Sequence, residues 1–590
     1  MAAFANSPIG TQLFKQSKVL LSALVLTFII ELAALGPIIY MLNTYDRVVS
    51  SRSLVTLLSL TAVLVLVYLF AGILEWIRSQ ILVRLSLKLD WELAPDVFDA
   101  AYRQQIRSKD VNIHQLLGDL ISFKQFVSSG PALALMELPM ALIAVLVGLL
   151  MHPVLAVFTA AAIVILLLTT YLQQKLTSST LMDANNQYAL SNRKAMMLLR
   201  NVETSYAMGM ESVARKHWYE EHKKHLELQS TASELAGGVG GFIGLLNKLL
   251  PSFALGLGAY LAINDLITAS MVFAASMLIN KAIAPIQKIL GNWKSIIEAR
   301  QAYARLNELL QDYRAKAKSM ALPAPKGHFV VKGLSIKPGA SKDPVLEGLN
   351  FEVQPGTVLA VVGPMGSGKS TLAKAMVGIW SPSEGSVRLD GVEISQWDRD
   401  EVGPHIGFVA QESGFFDGSV AQNIARLGDV NPELVVQAAT RVGMHEIILK
   451  MPMGYNTPIG EGSPYVLSGG QKQRLSIARA IYNSPKVLVL DEPNSALDDE
   501  GEKILARLIV EFKKLGHTVV AVTHRPALVG LADQLLVLQA GRMVGMGPPQ
   551  EVVNKFQQQN AQPNAALAQG ANAPPDSRTP GGVLSQGNAS

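Results

Sequence analysis

The run Gly363-Pro364-Met365-Gly366-Ser367-Gly368-Lys369-Ser370 has the types and spacing of a phosphate cradle. Its glycines let backbone N–H groups turn inward around two phosphates with no Cβ in the way. Lys369 offers those phosphates a point charge, and the Ser370 hydroxyl can ligate Mg²⁺. By itself such a run could be a chance glycine-rich turn, so its flanks decide. Val358–Val362 is a short apolar run that reads as a buried strand, and residues 370–377 read as a helix whose N-terminus, with Thr371 in its first turn, faces the phosphates. Three more candidates sit where apolar β-type runs end. Asp491 closes Val487–Leu490 and is placed to hold Mg²⁺, directly or through water. Glu492 follows it as the candidate general base for an attacking water. The alternative is two solvated acids at a strand end, which the apolar run before them and Pro493 after them disfavour. His524 follows Thr518–Thr523, and Gln411 follows Ile406–Ala410, where it could sense Mg²⁺ and water. Ligand sites of open α/β sheets collect at the carboxyl ends of strands.

These elements must be positioned by an open α/β sheet, and their order along the chain resembles the nucleotide-binding domain of ATP-binding-cassette transporters. The resemblance covers about residues 326–550. It implies that Ser468, Gly469, Gly470 and Gln471 form the signature that closes over ATP held by a partner subunit. The cradle and the signature then serve different chains, which implies a second copy of this chain and a machine that opens and closes on ATP. Ser495-Ala-Leu-Asp498 resembles the family's D-loop. Thr457-Pro-Ile-Gly-Glu-Gly462 resembles the element by which exporters of this kind sense their membrane domain. One stretch departs from the family. Where an aromatic usually stacks on adenine, this chain reads Leu334-Ser-Ile-Lys-Pro-Gly339, so no adenine platform is identified.

The rest of the chain says where this domain is mounted. Of 590 residues 49% are hydrophobic and only 16% charged, rich in apolar residues for a soluble protein. The excess lies in the N-terminal half as spans at about 18–42, 54–77, 131–151, 153–172, 241–262 and 267–288. Each approaches or exceeds the ~20 residues that cross a bilayer. His152-Pro153 alone joins the third and fourth spans, and Asn264-Asp265 the fifth and sixth, so each pair reads as a tight hairpin. Lys15 and Lys18 precede the first span, and basic residues crowd 78–130 and 173–238, whereas Arg47 and Arg52 stand on the other side. That asymmetry puts both termini and the two long connections in the cytoplasm. The connections read as helices continuing out of the membrane. The boundaries expected are 1–320 for the membrane domain, 321–327 for a linker, 328–555 for the ATP domain and 556–590 for a disordered, Gln/Asn/Ala/Pro-rich tail. The fold class is therefore multidomain: a six-helix transmembrane exporter domain followed by an α/β P-loop domain.

Other readings narrow the function. The first span exceeds a signal-peptide core and no A-x-A-like site follows it, so it is expected to stay. Cysteine is absent, which excludes disulfide, thiol and zinc-thiolate chemistry. The net charge of +5 matches a cytoplasmic-face bias and calls for no nucleic acid. Glu31, Glu137, Lys248 and Lys281 lie within spans, where an unpaired charge costs at least ~2.5 kcal/mol. They are expected either to line an inward-opening polar vestibule or to bind helix to helix. Gly237–Gly244 reads as a site of close helix packing or a hinge.

A second resemblance is finer. Pro37–Val48 with Ser51–Leu57, Arg200–Met210, Gly378–Gly385, Gln396–Arg399 and Gly403–Gly407 are similar to stretches of type I protein-secretion ATPases, in the branch that exports proteases, lipases and haemophores. Membrane-spanning sequence begins near residue 18, so no N-terminal peptidase-like domain is expected. The resemblance implies ATP and Mg²⁺, an unfolded secreted protein with a C-terminal signal as substrate, and a location in the inner membrane of a Gram-negative bacterium. The partners implied are a periplasmic membrane-fusion adaptor and an outer-membrane channel protein. Two alternatives stay open: a lipid or drug exporter on the same fold, and an ATP-gated channel or regulator.

Overall fold

The computed structural model describes residues 7–107, 113–314, 322–337, 343–412 and 414–554. The tail from 555 and residue 321 of the expected linker lie outside the described residues. The chain divides into two compact units, Met1–Gln105 with Asp110–Lys316, and Ala317–Ser590 with Ile106–Lys109.

The first unit is helical: α1 Pro8–Lys15, α2 Ser17–Ala33, α3 Gly36–Asn43, a π-helical turn Thr44–Val49, α4 Leu54–Arg107, α5 Ile113–Ser128, α6 Gly130–Glu137, α7 Pro139–Met151, α8 Pro153–Arg200, α9 Val202–Ala207, α10 Glu211–Ile263, α11 Ala269–Gly291 and α12 Trp293–Arg314. Among the described residues six stretches are long and apolar enough to cross a membrane: Ser17–Val49, Leu54–Ile106, Gly130–Met151, Pro153–Arg200, Glu211–Ile263 and Ala269–Gly291. Leucines such as Leu58, Leu66 and Leu150 point outward from the unit, as a hydrocarbon solvent permits. Helix α4 has 54 residues, which at 1.5 Å each is about 80 Å, far more than the ~30 Å hydrocarbon layer. Two spans are not single rods. The first breaks between α2 and α3 just ahead of Pro37, and the third between α6 and α7 just ahead of Pro139. Proline lacks the N–H that would continue the ladder and its ring crowds the carbonyl four residues back. At the third-to-fourth hairpin His152 ends α7 and caps α8, its Nδ1 accepting from Val154 N at 3.2 Å.

The intramembrane charges differ in their partners. The Glu137 side chain, 5% exposed, accepts from Lys288 Nζ at 2.6 Å and lies 3.8 Å from Arg78 Nη1. Glu137 thus ties helix to helix, and with Glu31 it also lines a cavity between them. Glu31 pairs with Lys281 at 4.0 Å, and Lys248 is exposed. Arg78, counted in the sequence among cytoplasmic basic residues, is buried, and its Nη1 donates to Thr27 Oγ1 at 3.4 Å. Glu137→Gln is expected to leave Arg78 without its buried counter-charge and to destabilise the unit by about 3 kcal/mol, the lower end for a broken buried pair because Lys288 can reach water. The readout is the thermal midpoint in detergent. An unchanged midpoint together with lost transport would return Glu137 to the transport path. Within the chain the Gly237–Gly244 run forms no close helix seam. It lies inside the unbroken α10, and a Cβ added at Gly237, Gly238, Gly240, Gly241 or Gly244 would meet nothing within 4 Å.

The second unit is built on two sheets. Strands β1 Phe329–Ile336, β2 Leu346–Val353, β4 Glu384–Leu389 and β5 Val392–Glu393 form an antiparallel sheet in the order β2-β1-β4-β5. The second sheet has the order β12-β11-β3-β10-β9-β6, from β3 Val358–Val362, β6 Ile406–Val409, β9 Val487–Asp491, β10 Thr518–Val522, β11 Gln534–Gln539 and β12 Arg542–Gly547. Its neighbours pair in parallel except β12, which runs antiparallel to β11. Strands β9 and β10 are buried at every residue, which is why they read in the sequence as continuous apolar runs rather than alternating ones. A short ribbon pairs β7 Gly418–Ser419 with β8 Pro458–Ile459. The helices that matter to the site are α13 Lys369–Met376, α14 Val420–Ile424, α15 Gly469–Ile481 and α16 Asp499–Lys514.

The segment read as a linker is fastened over its described part. The Asp390 carboxylate accepts from the N–H groups of Lys326, Gly327 and His328, and Glu401 accepts from that of Leu322.

Candidate functional site

Strand order brings the candidates together. Strands β3, β10, β9 and β6 are neighbours in that order, and each is followed at its carboxyl end by one chemical element: the cradle, His524, the Asp491–Glu492 pair and Gln411.

The cradle leaves β3 and enters α13. Gly366 and Gly368 have φ of 78° and 96°, a left-handed backbone that other residues adopt only with strain. At Gly368 there is no room either, since a Cβ would lie 2.5 Å from Leu346 Cδ2. Gly368 is the N-cap of α13, so Lys369, Ser370 and Thr371 carry its first, unpaired N–H groups. Lys369 is buried and donates to the carbonyls of Gly363 and Pro364, both at 2.8 Å. Pro364 and Met365 form the exposed outer lip. Ser367 is buried and its Oγ has no hydrogen-bond partner.

Beneath the cradle, Ser370 Oγ donates to Asp491 Oδ1 at 2.9 Å. Asp491 is fully buried, and its Oδ2 is an acceptor with no partner. Burial pushes its carboxyl pKa up, and the Ser370 hydrogen bond works against that. A hydroxyl and an orphaned carboxylate oxygen beside a phosphate cradle fit a magnesium ion, which prefers oxygen ligands and keeps few from protein. Among the described residues there is no group of three or more His, Cys, Asp or Glu able to cage a metal. The remaining ligands of such an ion would be phosphate oxygens and water.

Glu492 stands at a φ of 48°, a costly conformation for a side chain of its size, held by its N–H donating to Val522 O at 3.0 Å. Its carboxylate receives a hydrogen bond from Gln411 Nε2 at 3.2 Å, and His524 Nε2 lies 3.7 Å from the other oxygen. Two residues that follow other strands thus meet at the partly buried Glu492 carboxylate, an arrangement able to hold and polarise a water.

Ser468 caps α15. Its Oγ accepts from Gln471 N at 3.3 Å while Gln471 Oε1 accepts from Ser468 N at 3.0 Å, a reciprocal capping box. Ser468 and Gly469 are exposed, and a Cβ on Gly470 would come within 3.2 Å of Ala496 O. Sequence reading missed three supports of this site. Buried Gln473 donates from α15 to Pro493 O at 2.8 Å, bracing the turn after Glu492. Thr523 Oγ1 accepts from Arg525 N at 3.1 Å and pairs with Asn494, fixing the His524 turn. Arg474 binds Asp498, the N-cap of α16. The sequence singles out Asp498 through the D-loop resemblance, whereas Gln473 leaves no trace, since it shares its buried face of α15 with another polar residue, Ser476.

The cradle, its sheet and the apolar helices define a membrane-spanning nucleoside-triphosphatase of the P-loop class. Residues 346–495 match the ABC transporter family and residues 20–286 the ABC transporter transmembrane region. The chain is 35% identical over 519 residues to the type I secretion system ATP-binding protein PrsD of Rhizobium meliloti, covering 88% of this chain and 89% of that protein. It is 27% identical over 559 residues to the alpha-hemolysin translocation ATP-binding protein HlyB of Escherichia coli O6:H1, covering 92% and 77%. A bacterial Atm1-family ABC exporter solved with ATP bound shares the fold, with a TM-score of 0.78 over 92% of this chain and 96% of that one at 21% identity. The chain belongs to the ABC transporters, among the type I secretion ATP-binding proteins. It is a multi-pass membrane ATPase coupled to transport.

Proposed function

We propose that two copies of this chain bind two ATP molecules, each between the cradle Gly363–Thr371 of one copy and Ser468–Gln471 of the other. Lys369 and the N–H groups at the start of α13 hold the phosphates. Ser370 and Asp491 are the protein ligands for Mg²⁺, with Gln411 beside them. When bound there, the ion would offset charge building on the phosphate oxygens. Glu492 takes the proton of the attacking water, while Gln411 and His524 orient its carboxylate. Closure of the dimer opens the membrane path outward, and hydrolysis resets it. Residues 1–320 form the membrane part and 328–555 the ATP part. The cargo is an unfolded protein with a C-terminal secretion signal, handed to a periplasmic membrane-fusion adaptor and an outer-membrane channel from the inner membrane of a Gram-negative bacterium.

The convergence of Gln411 and His524 on the Glu492 carboxylate beside the Ser370–Asp491 pair supports this reading of the chemistry. The 35% identity to PrsD over most of both chains supports secretion as its use. The test is to purify the Glu492→Gln variant from its native membrane and identify what accompanies it. An adaptor and a polypeptide retained through its C-terminus are expected. Enriched lipid with no adaptor would overturn the secretion reading and leave the ATP site standing.

A further inference from the structure

The break in the third span, between α6 and α7, borders a cavity of about 260 Å³ against α2. Leu24, Val25 and Phe28 of α2 and Met136, Met140 and Ile143 of the third span give it apolar walls. Leu24, Val25 and Phe28 are also exposed on the outside of the unit, so the cavity opens onto an apolar surface. Its polar lining comes from Thr27, Glu31 and Glu137. Two of these have their partners. Thr27 Oγ1 donates to Ala23 O at 2.8 Å and accepts from Arg78 Nη1 at 3.4 Å. Glu137 accepts from Lys288 and has Arg78 beside it. Glu31 is different. Its side chain is 14% exposed, its cation Lys281 stands off at 4.0 Å, and among the described residues it receives no hydrogen bond. At 1.5 Å per residue Glu31 lies about 21 Å along α2 from Ser17, well inside a hydrocarbon layer of ~30 Å. A carboxylate held at that depth without a donor is costly.

We propose that this cavity is a binding site for an amphiphilic cation, an alkylammonium whose chain fills the apolar walls and whose head donates to Glu31. The walls and the carboxylate lie side by side, which matches a molecule with one apolar end and one charged end. An ammonium brings a positive charge and three donors, and its hydrogen bonds to carboxylate are roughly twice as strong as neutral ones. A hydroxyl head offers one neutral donor, and a carboxylate head meets the like charges of Glu31 and Glu137. The space is close to the lower bound for small-molecule sites, so it takes a short chain and not a whole diacyl lipid. The occupant reaches it from the bilayer, through the apolar mouth. No residue of the ATP site takes part.

The experiment measures binding of radiolabelled octylamine to the full-length dimer in lipid nanodiscs, with excess unlabelled octylamine defining the saturable part. Octanol and octanoate are the competitors. Octylamine is expected to compete roughly tenfold better than octanol, the difference between a charge-assisted and a neutral hydrogen bond, and octanoate is expected not to compete. Glu31→Gln is expected to erase the preference for the amine over the alcohol. Equal competition by octanol in the parent, or no saturable binding, would overturn the proposal. Glu31→Gln also deprives Lys281 of its counter-charge, so Ile143→Trp is measured beside it. That change fills the cavity and keeps every charge. It is expected to abolish saturable binding while ATP turnover stays at the parental rate, which reports a folded dimer. Octylamine binding retained in Ile143→Trp would place the amine elsewhere and overturn the assignment.

Discussion

Glu492→Gln is expected to cut ATP turnover by about 10²–10⁴-fold, the usual contribution of a positioned general base. The amide keeps the size of the side chain and can still meet Gln411 and His524, but it cannot accept a proton from water. Nothing in the cradle changes, because Lys369, Ser370 and Asp491 are held by contacts of their own. Binding should therefore survive while hydrolysis stops, trapping a closed, ATP-loaded dimer. Phosphate release and nucleotide retention after rapid desalting measure the two halves of this expectation. Turnover at the parental rate would remove Glu492 from its role. The left-handed backbone at this position makes the test sharper. Gln bears much the same backbone strain here as Glu, so the comparison isolates the side chain.

The second large effect is expected from mixed dimers. Lys369→Ala removes the charge under the phosphates, a loss of about 2–3 kcal/mol or on the order of a hundredfold in nucleotide affinity. Ser468→Arg places a bulky cation at the exposed cap of α15. Suppose one copy carries the first change and its partner the second. If each site combines Lys369 of one chain with Ser468 of the other, both lesions fall on one site and the other is intact. The mixed dimer should then retain nearly one full-affinity ATP per dimer. If both motifs served the same chain, each site would carry one lesion and no full-affinity binding would remain. Counting bound nucleotide in tagged, sequentially purified mixed dimers separates the two.

Several parts of the site were legible because each is local. Three glycines, a lysine and a serine within eight residues, between an apolar run and a helical one, are enough to read the cradle. Asp491, His524 and Gln411 were readable because each follows an apolar strand, and strand ends are where parallel sheets collect ligands. The spans were equally plain, since crossing hydrocarbon demands continuous apolar sequence. Glu137 shows where such reading stops. Its type and depth raised two fates, and its partner Lys288 lies 151 positions away with nothing in the pattern to announce it. The Gly237–Gly244 run shows the converse. Small residues at close spacing suit tight packing, but whether another helix comes near is settled elsewhere in the chain.

The sequence by itself therefore determined the reaction and the solvent. Phosphate geometry needs glycines in a row, metal and base chemistry needs acids at strand ends, and a bilayer needs long apolar helices. The tertiary structure decided who faces whom. Ser370 meets Asp491 across 121 residues, Gln411 meets Glu492 across 81, and Arg479 meets Gly414 across 65. Such pairings arise from the lateral order of strands and from which helix face packs on them. Those are outcomes of burying both faces of one sheet, and no local run of residues encodes them.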